Sequence, residues 1–156
     1  MSDVLNHYFL VDDPHQKILT QLLEGVQRTP SWDQLQYSCF VMAGFIQLAY
    51  KALGHQADIL PCTGLARYQQ QLFKLGFPGI KKDVSELDGH VACLIDGRIV
   101  VDFGLGNIRR YGFSEFPIAL GADCQQAPIF PITLKVNEDI QFQWQTEGAH
   151  PEVEQA

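Results

Sequence analysis

Between Ser38 and Gly54 the chain carries an almost unbroken apolar stretch: Phe40, Val41, Met42, Ala43, Phe45, Ile46, Leu48 and Ala49. Ser38 is a good N-cap, Gly54 a good terminator, and the interval contains no proline, so a helix is predicted over Cys39 to Leu53. Only Gly44, Gln47 and Lys51 make a thin polar stripe at helical spacing. A helix that is apolar nearly all round belongs in the middle of a domain, covered on most sides. The rest of the fold has to be arranged around it.

The flanking segments supply the cover. Asp13-Pro14 opens a second helical pattern in which Ile18, Leu19, Leu22, Leu23 and Val26 share a face, closed by Thr29-Pro30-Ser31. Gln56 to Leu60 reads as a strand, Leu65 to Leu75 as a short helix, and Lys74 to Lys82 as a loop broken by Gly76, Pro78 and Gly79. Two β-rich runs, His90–Ile95 and Arg98–Phe103, flank Asp96-Gly97, a strong hairpin signal. Gly104 through Gly121 reads as a long surface connection. Pro128 to Val136 and Ile140 to Trp144 read as a last pair of strands, in which Ile140, Phe142 and Trp144 take half-buried positions. The expectation is an α+β fold with the central helix packed on an antiparallel sheet. Residues 1–146 form a single domain, and 147–156 an acidic, frayed tail.

With 156 residues and a formal charge of −7, the chain has one domain's length and a surface that repels phosphates. Nucleic acid and anionic membranes are poor partners for it. Net charge leans instead towards a neutral or cationic substrate. No apolar run approaches the length of a membrane helix, and Met1-Ser2-Asp3-Val4 does not read as a signal peptide, so a cytoplasmic protein is expected. The cysteines at 39, 62, 93 and 124 are too few for a disulfide scaffold and lack the close pairing of a zinc site. No metal or cofactor is expected. Cys62, Cys93 and Cys124 read as packing residues. His7, His15, His55 and His150 read as surface residues. Gln34 and Gln36, either of which could lend an amide to an oxyanion, read first as solvated loop residues.

Cys39 differs by position. A thiol in the first turn of a helix meets free N–H groups and positive partial charge, which favour a thiolate. Such a nucleophile needs a base, and the base an orienting group. His90 starts the first hairpin strand and Asp102 ends the second. A two-residue loop would set them on opposite faces. A three-residue loop, Ile95-Asp96-Gly97, pairs Leu94 with Arg98 and sets His90 directly across from Asp102. It also sorts Val91, Cys93, Ile95, Ile99, Val101 and Phe103 onto one apolar face.

Cys at the start of a central helix, His on a strand and Asp on the next strand resembles the papain-like fold, most closely the transglutaminase-like proteins and the arylamine N-acetyltransferases. The residues that carry the first likeness are Cys39 to Leu53-Gly54 followed by the strand Gln56-Ala57-Asp58-Ile59. Val101-Asp102-Phe103-Gly104-Leu105-Gly106 carries the second, and Gly89-His90-Val91 is similar to a strand of NlpC-like cell-wall peptidases. The Trp usual in the transglutaminase-like His strand is replaced by Ala92-Cys93, and the Arg-Gly-Gly that precedes the acetyltransferase Cys by Gln36-Tyr37-Ser38. The resemblance spans residues 37 to 106. It implies a Cys39–His90–Asp102 triad acting on a peptide, protein or small acyl or amide substrate through an acyl-enzyme, resolved by water or by an amine. A non-catalytic binding or regulatory protein on the same fold, or an NlpC-like peptidase, are the alternatives.

Overall fold

The computed structural model describes residues 6–76 and 89–146. The predicted loop over Lys74 to Lys82 lies largely outside them, as do His150, the opening Met1 to Val4 and the acidic tail. Helix α1 (Asp13–Gln27) starts where the sequence places it: Pro14 occupies the first turn, and the Asp12 carboxylate accepts from the His15 amide. Its inward face is Leu19, Leu23 and Val26. A short α2 (Trp32–Leu35) leads into α3 (Cys39–Ala52), where Ser38 Oγ accepts from the Val41 amide and Gly54 takes φ +90° after the last turn.

Among the described residues eight strands form one curled, mixed sheet: β1 (His7–Leu10), β2 (Ala57–Tyr68), β3 (Gln71–Leu75), β4 (His90–Ile95), β5 (Ile99–Asp102), β6 (Ala119–Asp123), β7 (Ile132–Lys135) and β8 (Ile140–Thr146). Their order is β1-β6-β5-β4-β2-β8-β7, with β3 also on β2. The described chain is therefore α+β. The sheet is not wholly antiparallel, because β1 joins β6 in parallel.

Both faces of the central strands are buried. Cys93, Ile95, Ile99 and Val101 pack under α1 and α3 with Leu19, Met42, Ile46 and Tyr50. Ala92 and Val100 point the other way, to Leu105, Ile108, Phe116, Phe142 and Trp144. Alternation along β4 and β5 thus separates two cores, and the apolar face expected of Cys93, Ile95, Ile99, Val101 and Phe103 is the one beneath the helices. Among the described residues, no helix is long and apolar enough to cross a membrane.

Four further expectations change. Helix α3 is not covered on most sides: Met42, Ala43, Ile46 and Tyr50 are buried, whereas Phe40, Val41 and Leu48 stand exposed, Leu48 at 71%. It lies against the sheet on one side only.

Leu65 to Leu75 is not a helix. Gly64 to Tyr68 continue β2, paired with β8 on one edge and β3 on the other. These long-range ladders claim the backbone groups a helix would have used, and the chain turns at Gln69, which takes φ 57°.

Gly104 to Gly121 is not a surface connection. It contains α4 (Gly106–Tyr111), and Leu105, Ile108, Phe116 and Ile118 are buried before β6 begins. Its glycines serve close approach: a Cβ at residue 106 would lie 2.2 Å from the Gln36 carbonyl oxygen.

The β4–β5 loop has three residues, but they are Asp96, Gly97 and Arg98. Ile95 pairs with Ile99, and Leu94 with Val100. The cause is tertiary. Asp96 is tied to the residues just before β2: its amide donates to Gln56 O, and its carboxylate accepts from the Gln56 amide and from His55 Nδ1 at 2.8 Å. Arg98 O accepts from the Cys124 amide, and the Arg98 guanidinium pairs with Asp123. These ties keep Ile95 in the strand and draw Arg98 into the turn.

Candidate functional site

The register change moves Asp102 two residues along the ladder relative to His90, an even step, so both remain on one face of the hairpin. They are diagonal neighbours, not directly opposed ones, and a diagonal pair is within reach of side chains as long as these. His90 Nε2 and Asp102 Oδ2 are 2.7 Å apart, and both residues are buried. A carboxylate only accepts, so Nε2–H donates. Nδ1 is left as the ring nitrogen available to another partner.

That partner is Cys39. The segment leaving β5 passes against the first residue of α3 so closely that a Cβ at residue 104 would stand 2.6 Å from Cys39 Cβ and 2.7 Å from its Cα. The same point is 3.4 Å from Cε1 of the His90 ring. Glycine at 104 therefore lets the thiol, the imidazole and the β5 exit converge. Gly104→Ala is expected to force α3 away from the imidazole, costing about 1–3 kcal/mol of stability and slowing alkylation of Cys39. Denaturant unfolding together with site-resolved labelling measures both; an unchanged labelling rate contradicts the close approach.

Asp102 is held by more than the histidine. Its Oδ1 accepts from the Gly104 amide at 2.9 Å, and its Oδ2 also accepts from Trp144 Nε1 at 2.8 Å. Three donors thus surround a buried carboxylate, as such a group requires. The sequence reading missed Trp144 as part of this cluster. Ile140, Phe142 and Trp144 are fully inside, not half-buried. The available signal was the indole itself: a buried Trp N–H needs an acceptor, and Asp102 had lone pairs to spare.

Burial disfavours a charged imidazole at His90. The charge and hydrogen bond of Asp102, reinforced by the hydrogen bond and charge of Cys39, outweigh it and lift the His90 pKa from its ordinary 6.5 to about 10. A histidine raised in the folded state holds its proton more tightly there than in the unfolded chain. Its stabilising contribution is complete below about pH 6.5 and is lost as pH climbs towards about 10. Unfolding free energy is expected to fall across that interval, and His90→Gln should flatten the slope. The comparison with His90→Gln matters above pH 9, because burial also pushes the Cys93 thiol up, to about 12, and it adds its own loss there. A variant that keeps the wild-type slope between pH 6.5 and 9 contradicts the pairing.

The first turn of α3 contributes backbone donors. Val41 N is taken by Ser38 Oγ and Met42 N by Ser38 O, which leaves the Cys39 and Phe40 amides without helical acceptors.

Of the other sequence candidates, Cys62 stands across from His90 in the β2–β4 ladder, and the rest have other partners or places. None of the four cysteines is in a disulfide; Cys62 and Cys93 are buried and Cys124 is half-buried. Gln36 gives its amide to Asp33 O, and Gln34 is exposed. His15 is not a surface residue: it is buried, with Nδ1 3.1 Å from Tyr50 Oη beneath α1. His55 pairs with Asp96, and His7 stacks on Phe9. Among the described residues, no group of three His, Cys, Asp or Glu side chains is placed to hold a metal ion. Comparison of the chain with protein-family models, with curated proteins and with solved structures gave no match.

Proposed function

We propose that the protein is a cysteine-dependent acyl-transfer enzyme or hydrolase, with Cys39 as nucleophile, His90 as base and acid, and Asp102 as orienting group. The observation that carries this is the buried chain of contacts from Trp144 and Gly104 through Asp102 to His90, ending at a thiol on the first turn of a helix. A packing cysteine has no use for a charged, fully satisfied imidazole–carboxylate pair beside it. Placing such a pair in a core is costly, and its retention next to a nucleophile is what catalysis requires.

In this reading the Cys39 proton rests on His90 Nδ1 as a thiolate–imidazolium pair, and the sulfur attacks a carbonyl carbon. The negative oxygen of the tetrahedral intermediate lies near the unclaimed Cys39 and Phe40 amides. His90 then returns the proton to the leaving amine, alcohol or thiol as the bond to it breaks. The thioester is resolved by water or by an amine, with His90 activating whichever attacks. Asp102 fixes the tautomer and stabilises the cation. The arrangement of α3 on β2, β4 and β5, with the triad order Cys, His, Asp, supports assigning the domain to the papain-like, transglutaminase-like architecture.

Reactivity tests this with an internal control. Under native conditions iodoacetamide is expected to alkylate Cys39 much faster than Cys124, which is half-buried and whose thiol burial pushes up. His90→Gln should remove most of that difference. Equal rates at the two cysteines sink the proposal.

A further inference from the structure

The chain between Gly104 and Arg110 runs alongside residues 36–39. Gly104 lies against Cys39, and Gly106 against Gln36 O and the Tyr37 ring. Asn107 Nδ2 donates to Tyr37 O at 3.1 Å. One turn further, the Arg110 guanidinium sits 4.6 Å over the Tyr37 ring centroid and 5.1 Å from that of Tyr111. Arg110 is exposed, and among the described residues it has no carboxylate partner. In a chain of formal charge −7, an exposed cation lying over two aromatic rings, one of them two residues along the chain from the nucleophile, is a distinctive placement. Stacking immobilises the planar guanidinium by its faces and leaves its N–H edge free. An N–H edge fixed in this way matches a carboxylate, which it can fork with two parallel hydrogen bonds.

The geometry points to Arg110 as the recognition group for a carboxylate carried on the acyl part of the substrate, so that the site takes acidic acyl groups such as the monoester or monoamide of a dicarboxylic acid. This deepens the proposed function and rests on Cys39 being the nucleophile. The guanidinium lies over the ring of Tyr37, two residues before Cys39 in the chain, so the carboxylate is separated from the reacting carbonyl by a chain of several atoms. The net charge of the whole chain favours neutral or cationic substrates, but recognition at short range follows the nearest fixed charge, and that charge is positive.

The test uses two chloromethyl ketones on the full-length protein: 6-chloro-5-oxohexanoate and 6-chloro-5-oxohexanamide. They share a length and differ in charge. Each alkylates a thiol with loss of chloride, so no turnover is needed. Cys39 is expected to react about tenfold faster with the carboxylate probe than with the neutral one. Arg110→Gln should bring the ratio near one. Arg110→Lys, which keeps the charge and loses the fork, should fall between. A wild-type ratio at or below one, or a ratio that Arg110→Gln leaves intact, overturns the Arg110 assignment while Cys39 stays reactive. A Cys39 inert to both probes overturns the nucleophile reading and this assignment with it.

Discussion

Asp102→Leu is expected to destabilise the protein by about 3–5 kcal/mol at pH 7, the usual cost of removing one partner from a buried ion pair. In a domain of this size that lowers the melting temperature by roughly 10 °C. The loss is large because three donors converge on the carboxylate. The His90 ring loses the carboxylate that held its proton against burial, and the Gly104 amide and Trp144 indole lose their acceptor. Replacing His90 as well removes the orphaned imidazole. The Asp102→Leu/His90→Leu double variant should therefore be less destabilised than the sum of the two singles. Thermal and denaturant unfolding of the four proteins gives the coupling directly. Additive losses would mean that the pair is not coupled in the folded protein.

The second large effect concerns chemistry. Cys39→Ala is expected to lower esterase or amidase turnover by roughly 10⁴-fold or more, to the background given by binding and the helix-start amides. Its stability should hardly change, because Cys39 is only half-buried and its side chain is small. His90→Gln should cost nearly as much in rate, since nucleophile and base act as a unit and their losses do not add. The two substitutions therefore separate function from folding: Cys39→Ala strips activity from an intact fold, and Asp102→Leu strips stability as well. Rate measured alongside unfolding distinguishes them. A Cys39→Ala protein with wild-type turnover excludes the thiol as nucleophile.

The site was more legible in the sequence than the fold around it. Cys39, His90 and Asp102 could be brought together because each lies at an element end marked by local chemistry: the Ser38 cap, the start of an apolar strand, and the glycine-rich exit from β5. Parity did the rest. A hairpin with an odd loop puts His90 and Asp102 on one face whether the loop begins at Ile95 or at Asp96, so the pairing survived a wrong register.

What failed was whatever depended on partners distant in sequence. Asp96 is anchored by His55 and Gln56, and no pattern within 90–103 reveals that. Leu65 to Leu75 has apolar residues at spacings compatible with a helix, and only β8, far along the chain, turns its first half into a strand. The Gly104–Gly121 segment was misread because glycine signals both exposed flexibility and tight packing. The absent Cβ atoms face Gln36 and Cys39, which a linear reading cannot show. Trp144 was invisible as a partner of Asp102 for the same reason.

The most direct measurement is to expose the protein to a slowly released acyl ester, quench in acid, and locate the acyl group by peptide mass spectrometry. The account predicts a thioester on Cys39 in the wild-type protein and in the Gln34→Ala and Gln36→Ala variants, with none on Cys39 in His90→Gln. It predicts no acylation of Cys62, Cys93 or Cys124. An unmodified Cys39, or acylation spread over Cys39 and Cys124 alike, would contradict a nucleophile activated by His90.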